Sequence, residues 1–156
     1  MYLWLKVLHV VAVVLFMGNI ITGVFWQKHA GRTRDPRLIA SAMRGIIGSD
    51  RLFTMPGVVL IILSGLAMAW VGGWPILGTP WILWSIILFA VSGAVFMARL
   101  APLQRRMAGF AEAGAAAGNF DLAAYQRMSK QWDFWGAIAT LAPLAALALM
   151  VLKSPS

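Results

Sequence analysis

The 156-residue sequence contains no cysteine, and only 12% of its residues are charged. The missing cysteines exclude disulfides, thiolate nucleophiles and cysteine-ligated metals or iron–sulfur clusters. An ordinary soluble domain has about twice this share of charged residues, roughly a quarter. Paired carboxylates, a Ser–His–Asp set, a phosphate-binding loop and an HExxH motif are also missing. These absences favour a membrane protein and give no support to a hydrolase.

Hydrophobic residues, by contrast, make up 61% of the chain and form long runs. Four runs, at about residues 3–26, 52–71, 81–100 and 134–152, have the roughly 20 residues that a helix needs to cross the hydrocarbon core. The eight tryptophans lie at or near the ends of these runs, at the depth that indole rings favour. The expected fold class is all-α: one integral membrane four-helix bundle over residues 1–156.

The basic residues predict the orientation of these spans. Eleven of the thirteen lie in two connections, between spans 1 and 2 and between spans 3 and 4. Positively charged connections stay in the cytoplasm, so both termini are expected on the outer side. The same distribution accounts for the net charge of +8 without nucleic acid, which is not an expected partner. We expect the lipid bilayer of a bacterial inner membrane to surround the spans.

Both basic connections are expected to be helical rather than irregular. From Pro36 onward, apolar residues recur at helical spacing, which predicts an amphipathic cytoplasmic helix at about residues 36–48. Span 3 is expected to continue as a helix past Pro102, and Asn119 or Asp121 to cap a helix that leads into span 4.

Small residues predict how the spans pack. Gly57 and Ser64 on span 2, and Ser85 and Ser92 on span 3, each recur at a spacing of seven. Small side chains at such spacing let two membrane helices approach closely. Because only the glycine- and proline-rich turn at residues 72–80 joins them, spans 2 and 3 are expected to form the tightest pair.

One ionisable residue, His9, lies well inside a span, and such residues suggest a function. Lys6 lies on the same helical face. The pair fits haem, with the iron on His9 and a propionate at Lys6. Alternatively, His9 hydrogen-bonds a neighbouring helix while Lys6 reaches the headgroups. His29 lies roughly 30 Å away at the opposite membrane face and cannot be the sixth iron ligand. That ligand would be a Met, water or a group from a second subunit, and Met68 is the better-placed intrachain candidate because the outer end of span 2 lies at the depth of His9.

The second candidate polar site includes Asp50, Arg51 and Pro56 at the start of span 2. Asp50 is expected to cap the helix. Pro56 should kink it and leave the carbonyl of Leu52 without its helical partner. Such a site can bind a polar ligand.

Several segments resemble a bacterial family of predicted integral membrane proteins of unknown function, family 2269. They are residues 2–9, 50–57, 73–75, 81–84, 103–106 and 125–132. The opening Leu-Trp-Leu-Lys-x-Leu-His, with His29-Ala30, also resembles the HemJ-type protoporphyrinogen oxidases. Those are small helical membrane proteins that bind haem b through a histidine of the first span. That resemblance implies haem at His9, with Lys6 nearby.

Three functions are therefore open at this point. The first is a membrane protein that binds haem b at His9, in redox or porphyrin chemistry near the outer leaflet. The second is a cofactor-free scaffold or assembly subunit that recognises a partner membrane protein, or a second copy of itself, through its basic helices. The third is a small transporter, which the shortage of buried acids and of spans disfavours.

Overall fold

A computed structural model describes residues 1–153, in which helices form almost the whole chain and no strand occurs. The elements in order are α1 (Tyr2–Thr33), α2 (Pro36–Ser49), a first π segment (Asp50–Thr54), α3 (Met55–Val71), α4 (Pro80–Val95), a second π segment (Phe96–Leu100), α5 (Ala101–Ala117) and α6 (Leu122–Leu152). Each π segment joins its neighbours without a break, so the chain forms four long helices, numbered 1 to 4 in chain order: Tyr2–Thr33, Pro36–Val71, Pro80–Ala117 and Leu122–Leu152. All four are long and apolar enough to cross a membrane. The predicted all-α, four-span architecture is confirmed.

The two ends of the bundle differ in composition. At one end the ring of Tyr2 meets the ring of Trp74, with centroids 6.1 Å apart, and the Lys153 ammonium lies 5.4 Å from the same indole. We call this the turn end, because the turn between α3 and α4 lies there. The opposite end carries both basic connections, and we call it the basic end. The long helices have 31 to 38 residues, whereas roughly 20 residues are enough to cross the hydrocarbon core. The helices are therefore long enough to extend beyond that core.

Capping residues define where the helices begin and end. The carboxylate of Asp35 accepts a hydrogen bond of 2.8 Å from a backbone N–H in the first turn of α2. Asp121, rather than Asn119, caps α6 in the same way, through the N–H of Ala124 at 2.9 Å. α5 ends at Ala117, and the next residue, Gly118, has a φ of 62° that glycine adopts without strain. α2 covers the range 36–48 that was predicted for an amphipathic helix, but it continues into span 2 instead of ending.

The larger hydrophobic core lies at the basic end. All four long helices contribute buried side chains to it, including Ala30, Ile39, Met43, Met107 and Tyr125, each at most 5% exposed. Here α2 packs along α5, so long helices 2 and 3 are direct neighbours. The basic end is therefore packed like a soluble helical bundle.

In the predicted spans the helices change partners. α3 packs against α1, and α4 packs against α6, whereas α3 and α4 make almost no contact. The expectation that spans 2 and 3 form the tightest pair is wrong. The eight residues between α3 and α4 leave enough slack for the two helices to separate.

The small residues nevertheless mark the close contacts. A Cβ at Gly57 would lie 3.4 Å from the Cβ of Phe16 on α1. The hydroxyl of Ser92 donates to a backbone carbonyl of α6 at 2.6 Å. The hydroxyl of Ser85 donates to the Trp81 carbonyl of its own helix at 2.7 Å and lies 3.2 Å from a backbone carbonyl of α6. The spacing thus identified the contact surfaces correctly and the partner helices incorrectly, because a small residue permits approach by any helix.

The two π segments show how the long helices accommodate proline. Each ends two residues before a proline, Pro56 or Pro102, which lacks an N–H and crowds the preceding turn. The wider turn is closed by backbone bonds over five residues, from Met55 to the carbonyl of Asp50 and from Ala101 to that of Phe96. The expectation that Asp50 caps span 2 is wrong, because the helix passes through this residue.

Candidate functional site

His9 is held against span 2. Its Nδ1 lies 2.9 Å from the hydroxyl oxygen of Ser64 on α3. Because that hydroxyl donates to the carbonyl of Leu60, its oxygen accepts from Nδ1–H, and the lone pair of the imidazole is on Nε2. Gly65 gives the ring its space, since a Cβ there would lie 3.3 Å from Cε1 of His9. His9 therefore makes the helix–helix contact expected under the second interpretation.

The other residues of the predicted haem site are more dispersed. Lys6 is exposed, and Met68 is only partly buried. Because His9 faces Ser64 in the antiparallel pair, Met68, four residues further along α3, lies one helical turn nearer the turn end. Among the described residues, no group of three or more His, Cys, Asp or Glu could hold a metal ion. His29 is exposed, with its ring stacked at 5.9 Å from that of Phe25.

The most distinctive polar cluster surrounds Asp50, which is only 8% exposed. One carboxylate oxygen accepts from Asn19 at 3.0 Å and from Thr54 at 2.8 Å, and the other accepts from Gln104 at 3.1 Å. Asn19 also donates to the Thr54 hydroxyl, at 2.8 Å. The cluster thus joins α1, the first π segment and α5. We refer to these four residues as the Asp50 cluster.

No basic side chain pairs with Asp50 among residues 1–153, where the ion pairs are Lys28–Asp133 and Arg44–Glu112. Its predicted companions Arg51 and Pro56 are both exposed and lie outside the cluster. A buried carboxylate without a cation is costly. Hydrogen bonds to a charged group contribute about 1.5–3 kcal/mol each, so the three donors offset much of that cost. A polar group retained at such a cost is a candidate for function.

Sequence reasoning identified Asp50 but missed the three residues that hold it. Asn19 and Gln104 are 85 positions apart and converge only because long helices 1 and 3 both approach the first π segment. For Asn19 the available signal was an isolated amide among largely apolar neighbours, whereas Gln104 directly precedes Arg105 and Arg106 and gave no such signal. Such residues need a partner when buried.

A cavity of about 270 Å³ lies beside the Asp50 cluster, between the α1–α3 pair and the α4–α6 pair. It exists because the two pairs separate in the spans, while α2 and α5 close together at the basic end. All four cluster residues line it, and the rest of its wall is mostly apolar: Phe16, Ile20, Val24, Val58, Ile62, Phe89, Phe96, Met97, Leu100 and Trp132 are examples. The site therefore combines one buried carboxylate with an apolar chamber.

The fold and this site define a multi-pass helical membrane protein with an internal cavity. The family described as "Predicted integral membrane protein (DUF2269)" matches residues 3–154. The chain belongs to this family. No curated protein and no solved structure matches it. The resemblance of span 1 to the HemJ-type oxidases is not borne out by these comparisons.

Proposed function

We propose that this protein binds a small, largely apolar molecule in the cavity, and that the molecule donates a hydrogen bond to Asp50. The observation that carries the proposal is a buried carboxylate without a cation, placed at the wall of an apolar chamber. Ligand sites are typically apolar chambers with a few polar groups that fix orientation. An ionised carboxylate offers about four acceptor positions, and the three protein donors leave room for another.

Binding of radiolabelled 4-butylphenol tests this proposal. The probe has one hydroxyl and a short apolar body, and the protein is assayed in lipid nanodiscs. Wild type should bind it saturably, and Asp50→Asn should bind at least tenfold more weakly, because the replacement removes the negative charge that strengthens the hydrogen bond from the hydroxyl. Asp133→Asn is the matched control: it removes the same charge from the partly exposed partner of Lys28.

The Asp133→Asn variant should bind the probe as wild type does. Equal affinities of wild type and Asp50→Asn would contradict the proposal, as would the absence of saturable binding by wild type. Loss of binding in both variants would show that charge in general, rather than Asp50, controls it.

Haem b at His9 is the second candidate function, and the His9–Ser64 hydrogen bond favours it. A ligating histidine commonly donates its other N–H to a nearby acceptor, which fixes the ring and leaves the second nitrogen free for iron. Ser64 is such an acceptor for Nδ1–H. His9 would hold the iron through Nε2, Lys6 is the cation for a propionate, and the haem would supply one-electron chemistry.

The visible spectrum tests the haem proposal. Protein purified in mild detergent from haem-replete cells should show a Soret band that His9→Ala loses and that His29→Ala keeps. Ser64→Ala should retain the band with weaker haem affinity, because the ring is then less well oriented. A colourless wild type would exclude haem and leave His9 with its role in helix packing.

We also propose that the protein lies in the inner membrane of a bacterium, with the basic end in the cytoplasm. The helical spans and the eleven basic residues of the two connections support this orientation. Reporter fusions within residues 32–44 and after Gly118 should report the cytoplasm, and fusions at either terminus the outer side. A cytoplasmic reporter signal at either terminus would reverse the assignment.

A further inference from the structure

We propose that the ligand of the cavity is a hydroxylated, single-chain amphiphile that enters from the bilayer, between α3 and α4. Its hydroxyl binds at the Asp50 cluster, and its chain passes out through the opening into the lipid. This inference rests on the function proposed above and adds the chemical class of the ligand and its route.

The opening is visible in the residues that are both exposed and part of the cavity wall. Met55 and Ile62 on α3 are 37% and 45% exposed, and Met97 on the second π segment is 62% exposed. Ala90 and Gly93 on α4 are exposed as well. All five belong to long helices 2 and 3, where α3 and α4 make almost no contact. We call this gap the lateral opening.

The cavity is closed at the basic end. There α2 packs along α5, and the side chains of Met43 and Met107 are at most 1% exposed. A ligand from the aqueous side would have to part this core, whereas a ligand from the bilayer meets a gap that already exists. On the bilayer side, the gap is flanked by the exposed apolar faces of the spans, which are in contact with lipid chains.

The cavity is too small to enclose the whole alkyl chain of a long amphiphile. At about 270 Å³ it is no larger than the smallest typical small-molecule sites, which begin near 300 Å³. The head group and the first methylenes therefore fill the chamber, and the remainder of a long chain extends through the lateral opening. In this arrangement apolar side chains surround the alkyl chain inside the opening, and lipid chains surround it outside.

The chemistry of the head group follows from Gln104. Its amide nitrogen has two N–H groups, and one donates to Asp50. Both N–H groups of Asn19 are already used, on Asp50 and Thr54. A hydroxyl can donate to the free position of Asp50 and accept the second N–H of Gln104. An ammonium cannot accept that hydrogen bond and loses far more hydration on entering the chamber.

Photolabelling with a long-chain probe tests the route. The probe is 4-dodecylphenol with a diazirine at the chain end, added to protein in nanodiscs and irradiated. Specific labelling is defined as the part that excess 4-butylphenol removes and that Asp50→Asn lacks. We expect peptide mass spectrometry to locate it on the lipid-facing side of α3, α4 and the second π segment, around Ile62, Ala90 and Met97, with at least a tenfold excess over α2 and α5.

The outcomes separate the two proposals. Specific labelling on α2 and α5 would overturn the lateral route, while Asp50-dependent binding of 4-butylphenol would still support the proposed function. Saturable binding of 4-butylphenol without any specific label from the long probe would show that the chain cannot leave the cavity, which also overturns the route. A stable dimer cross-linked through α3 and α4 that excludes the long probe would assign the opening to a second copy of the chain. Failure of both probes to bind would overturn both proposals.

Discussion

The basic end and the span region of this protein are held together differently. At the basic end all four long helices share one core, which includes the fully buried side chains of Ile39, Met43 and Met107. In the spans a much smaller cluster, Ala12, Phe16, Met17 and Ile61, lies chiefly within one helix pair. The same helices are thus neighbours in one region and separated in the other.

We attribute this difference to the surroundings of the two regions, with the spans inside the bilayer and the basic end outside its hydrocarbon core. Outside the hydrocarbon core, burial of apolar surface stabilises contact between any two apolar faces. Within the bilayer, lipid chains are as apolar as the side chains, so only close packing and hydrogen bonds hold helices together. The Ser92 hydrogen bond to α6 and the close approach of Ser85 to that helix supply such contacts, whereas the gap between α3 and α4 shows no equivalent. The cavity occupies this gap.

The largest expected effect comes from truncation of equivalent side chains in the two regions. Met107→Ala, at a position that is 0% exposed, should lower the free energy of unfolding by about 2–5 kcal/mol. Met17→Ala removes the same atoms from the span cluster, at 8% exposure, and should cost less because lipid replaces part of the lost contact. Unfolding in mixed detergent and sodium dodecyl sulfate micelles measures both. A larger loss for Met17→Ala would contradict the proposed difference.

A smaller effect is expected from crowding the α1–α3 contact. Gly57→Leu should destabilise the protein by about 1–3 kcal/mol, because its side chain would meet Phe16. Gly18→Leu is the control on α1, since a Cβ there meets no atom within 4 Å. Thermal unfolding in the same detergent compares the two variants. Equal tolerance of both would mean that Gly57 does not lie in a close helix contact.

The smallest effect is expected from one interhelical hydrogen bond. Ser92→Ala removes the donor to the Ala139 carbonyl and should cost about 0.6 kcal/mol, and no more than about 1.7. Ser41→Ala, at an exposed position of α2, should change the stability by less than that. The same unfolding measurement applies, and a stabilised Ser92→Ala would show that this bond does not hold α4 to α6.

The sequence predicts the local features of this fold well because they depend on neighbouring residues. Long apolar runs predicted the four spans, and helical periodicity from Pro36 onward predicted α2. The long-range features depend on information that periodicity does not contain. Gly57 and Ser92 are compatible with any approaching helix, so the pairing could not be derived from them. Likewise, Pro56 altered the helix through a π segment, which left Asp50 inside the helix rather than at its start.

Disulfide formation between introduced cysteines tests the pairing of the spans most directly, because the natural sequence has no cysteine. A Cβ at Gly57 lies 3.4 Å from that of Phe16, close to the separation of about 3.8 Å in disulfides. In oxidised membranes, Phe16→Cys with Gly57→Cys should cross-link and lose reactivity toward a maleimide–polyethylene glycol. Val58→Cys with Ala90→Cys, across the lateral opening, should stay reactive. Efficient cross-linking of the second pair without the first would contradict the paired arrangement and remove the cavity on which the proposed function depends.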